Sequence, residues 1–175
     1  MNEQIFDEIY GDNDNKYSTL SKELYRSFCI MSVDVLEKIK SERSVKNSVD
    51  DKFQLELITV LRWIYIFILT NRRNEKPGLE GTIKEFWEID SSISGFTGRD
   101  FRKAKKFIDK RFARYSRAIV SLQPFQKLSE EFLSLIGNRS NYSIEYFSSL
   151  FNNIYVSQNA LINVLIKKYY YLLRA

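Results

Sequence analysis

The stretch STLSKELYRSFCIMSVDVLEKIKSER, residues 18–43, decides the fold. Leu20, Leu24, Phe28, Met31, Val35 and Ile39 recur in it at spacings of 4, 4, 3, 4 and 4. That is the period of one face of an α-helix; a half-buried strand would alternate every second residue. Lys22, Glu23, Arg26, Asp34, Glu37 and Lys38 fill the positions between. A long helix with one continuous apolar stripe must bury that stripe against other elements, so its neighbours have to supply matching apolar faces.

They do. Downstream, Ser48-x-x-Asp51 has the form of a capping box and predicts a second helix running to about Arg72. Its apolar run from Leu57 to Leu69, interrupted by Arg62, is thirteen residues long. Such a run spans only about 20 Å as a helix, short of the roughly 30 Å of bilayer hydrocarbon, and it reads as the buried centre of a bundle. Asn74 to Gly78, with Pro77, breaks that helix. Thr82-x-x-Glu85 predicts the cap of a shorter third helix to about Ser92, and Thr97-x-x-Asp100 that of a fourth. Pro124 suits the first position of a fifth helix ending at Gly137, and a last helix runs from near Ser143 to Leu173. Six Gly and two Pro in 175 residues leave few turns for a many-stranded sheet. The chain reads as one all-α domain, residues 1–175, a compact bundle of five or six helices. Residues 1–15, with Glu3, Asp7, Glu8, Asp12 and Asp14, read as a loosely attached acidic segment.

Composition removes whole classes of chemistry. There is no histidine and one cysteine, Cys29, so no Ser-His-Asp or Cys-His nucleophile system and no Cys/His zinc cluster can form within the chain. A lone cysteine also permits no intrachain disulfide, which fits a reducing, cytoplasmic setting. The glycines show no phosphate-loop spacing. Asp50/Asp51, Glu85/Glu88 and Glu130/Glu131 are the local carboxylate pairs, too few and too close to helix starts to make a metal site. We expect no enzyme, no metal and no cofactor.

Charge is distributed unevenly. The net charge is +5, yet residues 97–117 alone hold nine cations (Arg99, Arg102, Lys103, Lys105, Lys106, Lys110, Arg111, Arg114 and Arg117) against Asp100 and Asp109. At 100° per residue, Arg99, Arg102, Lys103, Lys106, Lys110, Arg114 and Arg117 fall within about 60° of one direction. Phe101, Ala104, Ile108, Phe112, Tyr115 and Ile119 fall opposite, with Lys105 and Arg111 flanking the cations. Ordinary solvated faces mix Glu with Lys; like charges at three- and four-residue spacing destabilise a helix unless something negative meets them. The seven cations therefore read as a ridge for nucleic-acid backbone, DNA or RNA, with little base reading, because Asn and Gln are missing from it. An acidic protein surface is the alternative partner, with the protein acting as an inhibitor, immunity or adaptor factor. A membrane is the least favoured. Tyr169, Tyr170 and Tyr171, beside Lys167 and Lys168, form a second candidate contact, since three consecutive helical residues cannot all face one core. The long apolar stripes also suit a homo-oligomer or a subunit of a larger assembly.

Overall fold

A computed structural model describes residues 18–42, 49–73, 76, 78–93, 98–137 and 143–169, with side chains at all of these except 91–93 and 98–101. Among the described residues there are six helices and no strand: α1 (Thr19–Ser41), α2 (Asp51–Arg73), α3 (Leu79–Ile93), α4 (Gly98–Ile119), α5 (Pro124–Ile136) and α6 (Ile144–Tyr169). They form an all-α bundle, as the apolar periodicity requires. The acidic segment 1–15, Ser48, Thr97, Tyr170 and Tyr171 lie outside the described residues.

On α1 the six stripe residues Leu20, Leu24, Phe28, Met31, Val35 and Ile39 are all buried. α2 is the hub of the bundle and packs against each of the other five helices. Phe53, Leu57, Val60, Leu61, Trp63, Ile64, Tyr65, Ile68 and Leu69 are buried along it, so almost its whole circumference faces protein. By length and composition α2 is the one described helix apolar enough to cross a bilayer. Aromatic clusters brace it. Tyr25, Phe28, Tyr65 and Phe86 join α1, α2 and α3, with Tyr65 and Phe86 stacked at 5.5 Å. Phe53, Phe132, Phe147 and Phe151 join α2, α5 and α6, with Phe132 and Phe147 rings 5.0 Å apart. Each buried Phe or Leu contributes about 1.5–3 kcal/mol of hydrophobic stabilisation before entropy is subtracted.

Helix ends follow the sequence in part. Pro124 opens α5, and Gly137 (φ 79°) closes it in the left-handed conformation, its N–H donating to the Leu133 carbonyl at 3.2 Å. The Lys52 ammonium meets the same terminus, donating to the Ile136 carbonyl at 3.2 Å, which complements the negative end of the helix dipole. Ser143 caps α6 by accepting from the Tyr146 N–H at 3.2 Å. Two starts differ from expectation. α2 is capped by Asp50, whose Oδ1 accepts from the Phe53 N–H at 2.7 Å. α3 begins at Leu79, directly after Gly78 (φ 98°), so Thr82 is not its cap but a buried residue inside it. Glu85 serves another helix altogether. Its Oε2 accepts from the Ser18 N–H (2.9 Å), the Ser18 hydroxyl (2.6 Å) and the Ser21 hydroxyl (2.6 Å) at the start of α1. Burial raises the Glu85 pKa, but these hydrogen bonds outweigh it and hold the carboxyl below its ordinary value.

Candidate nucleic-acid interface

α4 packs chiefly on α2 and α5. Tyr115 and Ala118 are buried, and Phe112 and Ile119 pack against the core. That anchorage turns the opposite face outward: Arg102, Lys103, Lys106, Lys110 and Arg117 are exposed. From Arg102 to Arg117 the band extends over about 22 Å at 1.5 Å per residue. Among the described residues no carboxylate pairs with Arg102, Lys106, Lys110 or Arg117. The Arg117 side chain hydrogen-bonds to its own helix, from Nε to the Ala113 carbonyl at 3.2 Å. Lys105 and Asp109 pair at 3.0 Å on the exposed border. The Arg99 side chain lies outside those described.

The band is interrupted at Arg114. Arg114 is half-buried and donates from Nε (2.8 Å) and a terminal nitrogen (2.6 Å) to Glu131 Oε2 on α5. It is neutralised in place, which corrects the expectation of an unpaired ridge along all seven positions. With Arg117, Ser121, Lys127 and Glu130 it lines an open groove of about 720 Å³ between α4 and α5. Lys127 and Glu130 pair within that groove at 2.7 Å.

Arg111 leaves the surface. Its Nε donates to Glu56 Oε2 at 3.0 Å, and the two side chains retain 17 % and 3 % of their exposure. The Tyr115 hydroxyl donates to the other Glu56 oxygen, and the Arg111 guanidinium lies over the Phe107 ring at 4.8 Å. Burial, then the Glu56 charge, pushes the Tyr115 pKa well above its ordinary value, so the phenol stays a donor. A second buried ion pair sits elsewhere on α2: Arg62 donates to Asp90 Oδ1 at 2.9 Å, and the Tyr25 hydroxyl donates to the same oxygen at 3.2 Å. Neither cluster stands out by charge in the sequence. A positional signal existed for Glu56, which is three residues after Phe53 and four before Val60, on the buried stripe of α2. A carboxylate there must find a cation.

The second candidate contact is only partly on view. Lys167 and Lys168 are exposed at the end of α6, and Lys168 Nζ lies 4.9 Å from the Tyr169 ring centre. Tyr169 itself packs against the core. α6 packs on α5, α2 and α1. The local carboxylate pairs are taken up by the fold: Asp50 and Glu85 cap helices, Glu88 pairs with Lys84 at 3.8 Å, and Glu130 and Glu131 hold cations. Comparison of the chain with protein-family models, with curated proteins and with solved structures finds no match.

Proposed function

We propose that the protein is a non-enzymatic binder of nucleic-acid backbone that uses the outer face of α4, within a larger nucleoprotein assembly. The observation that carries this reading is the band Arg102, Lys106, Lys110 and Arg117, exposed and without a carboxylate partner among the described residues. Like charges at these spacings work against the helix that bears them, so an external anion is the natural complement. A duplex presents one phosphate charge per roughly 1.7 Å of axis, and a band of about 22 Å meets several of them. Arg and Lys on phosphates confer position and affinity with little sequence preference.

The test is a fluorescence-anisotropy titration of labelled duplex at 50 and 200 mM salt. Four phosphate contacts give a log–log salt slope of about −3.6, hence a loss of roughly 150-fold across that range. Charge reversal in Lys106→Glu/Lys110→Glu abolishes binding at both. No affinity at 50 mM salt, or affinity indifferent to salt, overturns the reading. A stoichiometric complex with an acidic protein, lost in the same variant and accompanied by no retardation of DNA or RNA, gives the ridge to that partner instead.

A further inference from the structure

The connector between α4 and α5 exposes its apolar side chains more than any other described part of the molecule. Val120 is 84 % and Leu122 103 % exposed, while the next large apolar residues, Val156 and Val164, reach 59 %. The corner is held on both sides. The Ser121 N–H donates to the Ala118 carbonyl at 3.2 Å, carrying the last turn of α4 forward. Beyond it, Pro124 starts α5, and the Lys127 N–H donates to the Gln123 carbonyl at 3.0 Å. Ala118 is buried and Ile119 packs on the core, so the backbone on the α4 side is anchored while Val120 and Leu122 project. Val120 follows Arg117 by three residues, which places it on the cationic side of the α4 wheel, at the angle of Arg102. Lys127 is exposed just beyond the corner.

We propose that Val120 and Leu122 form an apolar wedge that enters a break in a base stack, so that the ridge takes duplexes with interrupted stacking — a nick, a gap or an end — in preference to continuous duplex. The inference rests on the nucleic-acid reading of α4 and adds the substrate class. A backbone laid along Arg102, Lys106, Lys110 and Arg117 reaches the corner where the cations end. Aliphatic side chains in that position replace a lost stacking neighbour, as wedges do at unstacked base steps. Short, branched side chains on an anchored turn also lose little freedom on insertion. A lipid surface fits less well, because the corner carries no Trp or Tyr of the kind that seats a loop at headgroup level.

The experiment compares a closed dumbbell duplex with the same duplex carrying a one-nucleotide gap flanked by 2-aminopurine, in DNA and RNA forms. Wild type binds the gapped form about tenfold more tightly, the size of an average stacking step, and raises 2-aminopurine fluorescence. Val120→Ser/Leu122→Ser keeps the wild-type melting temperature and its salt-dependent affinity for the closed form, but loses the preference and the fluorescence rise. Equal affinity of wild type for both duplexes, or a preference that survives in the variant, overturns the wedge and leaves the ridge standing. Absence of salt-dependent binding to either duplex overturns the ridge reading, and the wedge with it. Co-flotation with phosphatidylserine vesicles that the variant loses, in place of a gap preference, assigns the corner to lipid and overturns the wedge.

Discussion

The inner and outer flanks of α4 draw on the same residue types and put them to opposite uses. On the inner flank Arg111 reaches Glu56 and shares it with the Tyr115 hydroxyl, deep against α2. On the outer flank Arg102 and Arg117 stay in solvent with Lys106 and Lys110. What separates the two sets is a carboxylate on the neighbouring helix within reach. Where Glu56 or Glu131 stands opposite, the cation joins the packing; where none does, it remains available to something outside.

The sharpest way to break this contrast is to remove the inner carboxylate. Glu56→Ala leaves the Arg111 charge buried and unpaired and takes the acceptor from Tyr115. We expect a loss of about 3–5 kcal/mol, seen as a melting temperature lower by roughly 10 °C. The double variant Glu56→Leu/Arg111→Leu recovers part of it, since an apolar pair of similar volume removes the buried charge, while the Tyr115 hydroxyl still lacks its acceptor. If Glu56→Ala melts like wild type, the inner flank is no more structural than the outer one.

Alkali attacks the inner side next. Burial raises the pKa of Tyr25, Tyr65 and Tyr115 above the ordinary 10.0, and of Cys29 from 9.0 to about 11. The unfolded chain therefore releases these protons first. Stability from them is complete below the unfolded values and drains away as pH rises through 9 and 10. By pH 10 the summed loss is about 2.5 kcal/mol, measurable as a falling urea midpoint between pH 8 and 10. Tyr115→Phe flattens that slope by its own share; a midpoint indifferent to pH across this range contradicts the burial of these groups.

These two flanks also mark how far the sequence could be read. The α1 stripe and the α5 boundaries were legible because they depend on local chemistry: apolar residues at helical spacing, a Pro that fits a first turn, and a Gly that accepts φ 79°. The starts of α2 and α3 were misread because Ser48, Asp50 and Thr82 all have short polar side chains able to cap, and only the tertiary position selects among them. Glu85 looked like a cap for its own helix and instead closes the start of α1, a relation between residues far apart in the chain. Among the described residues of α4 the wheel separated the exposed cations from the packed Phe112, Tyr115 and Ile119. It had no means of showing that Glu131 would claim Arg114, or that Arg111, on the border, would turn inward to Glu56.

Arg114 sits between the two classes, and Glu131→Gln decides its place. The pair retains about a third of its exposure (30 % and 35 %), so solvent screening limits its contribution. We expect a stability loss below about 1 kcal/mol. Freed from its carboxylate, Arg114 should steepen the salt dependence of nucleic-acid binding by about one unit of slope. A large loss of stability with unchanged binding places Arg114 wholly on the inner flank.

The smallest expected change is the most instructive about the outer flank, because its sign is reversed. Lys106 has Arg102 four residues before it, Lys103 three before and Lys110 four after, all cations on the same face. Gln matches Lys closely in helix propensity, so Lys106→Gln removes charge and little else. Relief of that repulsion should stabilise the protein by a few tenths of a kcal/mol at low salt, with the gain fading as added salt screens the remaining charges. The same substitution should lower the salt slope of binding by about one. A more stable variant that binds less well is the signature of a charge kept at the fold's expense for an outside partner. A less stable variant means instead that Lys106 supports the bundle itself, and the division between the two flanks of α4 then fails at its most exposed point.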